Sequence, residues 1–148
     1  KIILVALDEA KKAGLRGEVP VGAVVFKGHQ IIAKAGNMVE KSNDASAHAE
    51  INVMRKACEI LSLSRLNNFS LYVTLEPCLM CMHAITLFRI QKLYFGAYDT
   101  SYLKDRNKLF TDGIYDRGEL NIESYGGFGL RQSENIIRKF FKKIRTSN

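Results

Sequence analysis

A chain of 148 residues with 47% hydrophobic composition can bury one substantial core, so a single folded domain over residues 1–148 is expected. Three cysteines, an odd count with one close pair, argue against a disulfide framework and for thiolate ligands in a reducing compartment, which makes a cytoplasmic location the default. The net charge of +7 is concentrated at the end, where Arg131, Arg138, Lys139, Lys142, Lys143 and Arg145 face one acid, Glu134; this suits either a polyanionic partner or a solvated helix face.

In chain order, residues 1–14 read as a helix ending near Gly14. Its apolar opening, Ile2 to Leu7, is too short for a membrane span or a signal peptide, because Asp8, Glu9, Lys11 and Lys12 follow at once. The sequence starts at Lys1 inside this helix, so a few preceding residues are expected. A loop, Arg16-Gly17-Glu18-Val19-Pro20, leads into two apolar runs, 21–26 and 31–35, around Lys27-Gly28-His29-Gln30, the pattern of a β-hairpin. Gly22 marks either close approach of a ligand to the backbone or a bulge.

Polar residues fill 36–46, and a helix is expected over 47–61 with Ser46 at its N-cap. Cys58 sits in the apolar run of that helix, where a buried thiol is the ordinary reading. A strand over 69–75 runs directly into Glu76-Pro77-Cys78, a helix follows over 78–88, and another strand covers 92–97. Residues 98–118 are polar and mixed, with a short turn or helix near Leu109; a loop this long is often functional. An edge strand over 120–125, a Gly126-Gly127-Phe128-Gly129 turn and an amphipathic helix over 131–145 complete the chain. Helices alternating with strands imply an α/β layered domain around a partly parallel sheet.

The chemistry concentrates in His48-Ala49-Glu50 and Pro77-Cys78-Leu79-Met80-Cys81. A Cys-x-x-Cys alone is produced by redox pairs, structural zinc knuckles and chance. Joined to His-x-Glu it forms the signature of the zinc nucleobase deaminases. Cysteines three apart at a helix start project from one face, so Cys78 and Cys81 can grip one ion, and the helix dipole favours their thiolates. His48 and Glu50, two apart, can share a cavity only in the first turn of a helix, where side chains reach past its end. A capping-box role for Glu50 would need Ser or Thr at 47, and the chain has Ala47. Three protein ligands leave a fourth position open, the mark of catalytic zinc.

Over nearly its whole length the chain resembles the bacterial tRNA-specific adenosine deaminases of the TadA type, within the cytidine deaminase-like superfamily. The resemblance rests on Val19-Pro20-Val21-Gly22-Ala23, His48-Ala49-Glu50-Ile51, Leu71 through Cys81, Arg89-Ile90, Phe95-Gly96-Ala97 with Asp99, and Phe140-Phe141 followed by basic residues. It implies a three-layer α/β/α fold with a central mixed five-stranded sheet flanked by helices. It further implies one Zn2+ per chain on His48, Cys78 and Cys81, and hydrolysis of the wobble adenosine of a tRNA anticodon loop to inosine with release of ammonia. Zinc lowers the pKa of its water from 15.7 toward about 7. Glu50 would carry the proton from that water to N1 and then to the departing amine. By the same matching Asn37 would hydrogen-bond the flipped base, Val21, Gly22 and the backbone of Ala49 would line the pocket, and Asp99 would contact a loop nucleotide. Local sequence by itself reads Asn37 as a loop asparagine and Asp99 as a turn former. In the last helix Ile137, Phe140, Phe141 and Ile144 form an apolar stripe, and Arg138, Lys142 and Arg145 a basic one suited to phosphates. A homodimer contacting the anticodon stem-loop, with no membrane association, completes what the resemblance implies.

Three departures stand out. His83 replaces the usual Gly, Leu87-Phe88 replace smaller or polar residues, and Thr100-Ser101-Tyr102-Leu103-Lys104 lack the Lys and Gly-rich run that follows the family's aspartate. The nearest rival function is deamination of free bases, nucleosides or nucleotides of the cytosine, guanine or deoxycytidylate type, which His48-Ala49-Glu50-Ile51-Asn52 also fits, but for which the basic tail has no purpose. A noncatalytic zinc-containing RNA-binding module is the rival from another class, and the retained Glu50 argues against it.

Overall fold

The computed structural model describes residues 1–99 and 122–146. Its elements in order are α1 (Ile2–Leu15), β1 (Gly22–Lys27), β2 (Gln30–Gly36), α2 (Val39–Ser42), α3 (Ala49–Leu61), β3 (Ser70–Leu75), α4 (Leu79–Leu87), β4 (Lys92–Ala97), β5 (Glu123–Tyr125) and α5 (Leu130–Thr146). The strands form one five-stranded mixed sheet in the order β2-β1-β3-β4-β5. β1 pairs antiparallel with both β2 and β3, while β3 with β4 and β4 with β5 are parallel.

The pattern of side chains explains the layering. β1 and β3 lie inside the sheet and are covered on both faces, so they are continuous apolar runs without polar alternation. Ala23, Val25, Leu71, Val73, Leu93 and Phe95 join Val53, Met54, Ala57 and Ile85 of α3 and α4 in the larger core. The intervening residues Val24 and Tyr72 point the other way and meet Ala6 of α1. α1 buries Ala6, Leu7, Ala10 and Ala13, a narrow stripe of mostly small residues at helical spacing, and so lies close against the sheet. Gly22 permits that approach: a Cβ there would collide with the carbonyl oxygen of Ala6. α5 docks on the same face through Ser133, which is 1% exposed and packs over Gly96.

The hairpin, the two strands leading to the site and the four longer helices are where the sequence places them, apart from shifts of a residue or two, whereas the short α2 lies in the stretch 36–46 that the sequence reads only as polar. α3 is the instructive shift. Its N-cap is His48, and Ser46 instead closes a turn, donating its N–H and its hydroxyl to Asp44 Oδ1 at 2.9 and 2.6 Å. Of the expected strand over 120–125, residues 122–125 are described and 123–125 form the strand; the turn or helix near Leu109 and the departures at 100–104 lie outside the described residues.

Candidate active site

Two helix starts converge beside the carboxyl ends of β3 and β4. His48 and Cys78 are the N-caps of α3 and α4, both with extended backbone (φ −69°, ψ 154° and φ −72°, ψ 173°). Neither caps its own helix through its side chain, so imidazole and thiol are free to turn toward each other. His48 Nδ1 lies 3.6 Å from Cys78 Sγ and 3.4 Å from Cys81 Sγ. The three donor atoms lie within 4.8 Å of one another, and theirs is the one such cluster among the described residues. A tetrahedral zinc with Zn–S of about 2.3 Å and Zn–N of about 2.05 Å requires an N···S edge of about 3.6 Å, so the donor set fits that ion in chemistry and in spacing. The geometry also assigns the facing nitrogen as Nδ1, which the sequence left open.

Electrostatics follow from this packing. The hydrogen bond from Cys81, and then His48, hold the Cys78 thiol down to about 4. The same bond and burial push the Cys81 thiol far up. The bond to Cys78 raises His48. Glu50, 4% exposed, is pushed up to about 7 by burial. Its carboxylate stands beside the cluster without being one of its three donors.

These groups open onto a cavity of about 350 Å³ whose lining includes Val21, Asn37, His48, Glu50, Cys78 and Asp99. Cys81 is fully buried behind them. The other expected substrate contacts are placed differently. Gly22 turns its open side to α1 and is not part of the lining, and the Ala49 N–H is taken up by Asn37 Oδ1 at 2.8 Å. Asn37 Nδ2 donates to Val19 O at 3.0 Å, and Arg16 donates to Asn37 O at 3.1 Å. Asn37 is therefore both a wall of the cavity and the cap that α3 otherwise lacks. Arg138, Lys142 and Arg145 are exposed on α5 outside the lining, with Arg138 3.6 Å from Glu134. On the apolar stripe of that helix Ile137 and Phe140 are half-buried, while Phe141 and Ile144 remain 42% and 41% exposed.

Three residues escaped the sequence reading. Glu18, 2% exposed, accepts the N–H groups of Glu40 and Lys41 at 3.1 and 3.0 Å and so ties α2 over the cavity. Asn52 Nδ2 donates to Gly36 O and Ala47 O at 2.9 and 3.0 Å, pinning α3 to the end of β2. Glu76 lines the cavity and accepts the N–H of Asp99 at 3.1 Å. For Asn52 a signal existed, since it lies four residues after His48 on the same helix face. For Glu18 and Glu76, whose partners lie 22 and 23 residues away in the sequence, there was none.

Comparison with known proteins agrees with this geometry. The model of the MafB19-like deaminase family matches residues 1–145. A tRNA-specific adenosine deaminase of Aquifex aeolicus (strain VF5) is 42% identical over 144 residues, 97% of this chain and 93% of its own length. That of Agrobacterium fabrum (strain C58) is 42% identical over 142 residues, 95% of this chain and 91% of its own. A solved structure from biochemical and structural studies of A-to-I editing by tRNA:A34 deaminases at the wobble position of transfer RNA is 40% identical. It superposes with a TM-score of 0.80, covering 91% of this chain and 97% of that one.

Proposed function

The chain belongs to the tRNA-specific adenosine deaminase family, and from that premise we propose that it hydrolyses the wobble adenosine of a tRNA anticodon loop to inosine, releasing ammonia. The observation that carries the chemistry is the clustering of His48 Nδ1, Cys78 Sγ and Cys81 Sγ beside the buried carboxylate of Glu50. One zinc per chain on those three donors would supply a water acidified enough to act as nucleophile at neutral pH.

The chain's own residues do the rest. Glu50 takes one proton from the attacking water and delivers it to N1 as oxygen adds to C6, then takes the remaining proton from that oxygen and passes it to the exocyclic amine as the C6–N bond breaks and the C6 carbonyl forms. The sum is adenosine plus water to inosine plus ammonia, with Glu50 returned to its starting state. Val21 and Asn37 shape the cavity around a flipped base, and Asp99 meets a loop nucleotide at its rim. Asn37 has one Nδ2 hydrogen left after its bond to Val19 O with which to donate to that base. Gly22 and the backbone of Ala49 support this wall from behind. Arg138, Lys142 and Arg145 extend a basic surface to the phosphates of the stem-loop.

A single deaminase domain over 1–148 working as a homodimer in the cytoplasm completes the reading. No described helix is long and apolar enough to cross a membrane. Exposed Ile60, Leu63, Met80 and Leu87, on or next to α3 and α4, support pairing with a second copy, which light scattering would test. The deciding experiment incubates the protein with an anticodon stem-loop and, separately, with free nucleosides. Inosine in the stem-loop is the expected result, and conversion of nucleosides alone refutes the tRNA reading.

A further inference from the structure

The backbone pairing of β3 with β4 ends at Leu75 opposite Ala97. Beyond that point the two chains leave the sheet side by side on different errands. One turns through Glu76 and the buried Pro77 into Cys78, and the other continues through Tyr98 to Asp99. Parallel strand ends released from their ladder are free to splay, but here one residue holds them together. Glu76 donates its N–H to Ala97 O at 2.8 Å and accepts the N–H of Asp99 on Oε1 at 3.1 Å. The second bond comes from a side chain and reaches two residues past the end of the ladder. Tyr98, bracketed between the two bonds, turns outward, 53% exposed, against the ring of Phe95.

We propose that Glu76 is a positioning residue for the substrate, acting through Asp99: its carboxylate sets the distance between the nucleotide-facing Asp99 and the Cys78 turn. This rests on the deaminase reading above, in which Asp99 meets a loop nucleotide. The backbone and Oε1 bonds of Glu76 both go to the segment leaving β4. Its role is therefore to register one wall of the cavity against the other. A nucleotide held at Asp99 then presents its base at a fixed depth relative to Cys78 and Glu50, because Glu76 stands two residues before that ligand in the same turn. A few tenths of an ångström of slack at Asp99 weakens capture of the loop while leaving the proton chemistry at Glu50 intact.

The test is steady-state kinetics on an anticodon stem-loop together with zinc analysis of each variant. Glu76→Ala is expected to raise KM about tenfold with kcat within about threefold of wild type, the pattern of lost binding without lost chemistry, and to keep one zinc per chain. Glu76→Gln retains a carbonyl oxygen for the Asp99 N–H and is expected to restore KM to within about twofold. Asp99→Ala raises KM by itself, and Glu76→Ala added to it is expected to change little more, because the two act in series. The proposal is overturned if Glu76→Ala loses zinc or unfolds, if it lowers kcat at unchanged KM, if Glu76→Gln is as impaired as the alanine variant, or if the two alanine effects multiply. Wild-type protein that leaves the stem-loop adenosine untouched overturns the deaminase reading and this inference together. An active wild type with any of the adverse variant results overturns this inference alone.

Discussion

The carboxamide oxygen of Asn37 accepts the backbone N–H of Ala49 at 2.8 Å, so a residue just past β2 caps the helix that carries His48 and Glu50. An N-cap side chain ordinarily accepts the second or third N–H of its own helix, but here the N-cap is His48, whose imidazole is turned to the two cysteines, and Asn37 takes the first N–H from outside. Asn37 meets the helix start from outside, and the His48 imidazole is left to face the two cysteines.

Asn37→Ala therefore leaves the buried Ala49 N–H without its acceptor, while Val19 O loses one of two donors and keeps the N–H of Val21 at 2.9 Å. A loss of about 1–2 kcal/mol is expected in urea unfolding, with faster loss of zinc to a chelator because His48 is less firmly held. Asn37→Asp keeps the acceptor for Ala49 but puts a charge in a buried position and loses the donor, so it is expected to be no better than alanine. Unchanged stability in Asn37→Ala would show that the bond contributes nothing to α3.

Glu50→Gln separates proton transfer from metal binding, since its carboxylate is not among the three clustered donors. Turnover on the stem-loop is expected to fall by about 10²–10⁴ while zinc content stays at that of wild type. Loss of zinc in this variant would make Glu50 a ligand instead.

Exhaustive chelation is expected to abolish activity, and one equivalent of Zn2+ to restore it. His48→Ala, Cys78→Ser and Cys81→Ser should each bind markedly less zinc by elemental analysis, while Cys58→Ser, altering a thiol outside the cluster, should bind the full amount. Equal zinc loss in Cys58→Ser would make Cys58 a third thiolate and the fourth ligand, closing the position that catalysis needs.

Gly22→Ala tests packing against ligand binding. The added Cβ meets the Ala6 carbonyl of α1, a backbone atom that cannot swing aside, and a stability loss of about 1–3 kcal/mol is expected. KM measured on the folded fraction should be unchanged. A raised KM at wild-type stability would mean that Gly22 faces the substrate after all.

Stem-loop affinity is expected to fall steeply with salt, with a slope of about −0.7 in log K against log salt for each phosphate engaged along a single strand. The triple variant Arg138→Ala, Lys142→Ala, Arg145→Ala should flatten that slope by about 2 if each of these three side chains reaches a phosphate. An identical slope in wild type and variant would return this helix face to the role of a solvated surface.

Much of this protein is legible in one dimension. The β3 and β4 strands are apolar runs of ordinary strand length, and the metal trio announces itself because each of its two halves is local: a His at one helix start, and cysteines three apart at another. Helix starts expose thiols and imidazoles and favour anions whatever the rest of the fold does, so the reaction could be read from the letters. Substrate residues were less legible. Asn37 and Asp99 were singled out by resemblance alone, and Gly22 by a strand glycine that has two ordinary explanations.

What the sequence singled out by itself was the candidate donor set, the candidate proton carrier and the layered α/β class. What only the tertiary structure decided was how those parts are held at working distance. His48 and Cys78 are 30 residues apart and meet because the sheet brings α3 and α4 to one end. The three polar residues that clamp the cavity, Asn37, Glu18 and Glu76, find partners 12, 22 and 23 residues away. Such bonds follow from where elements land in space, and no local spacing encodes them. The physical reason is that a helix turn or strand pleat correlates residues only a few positions apart, whereas the cavity is assembled from ends of elements that chain topology makes neighbours.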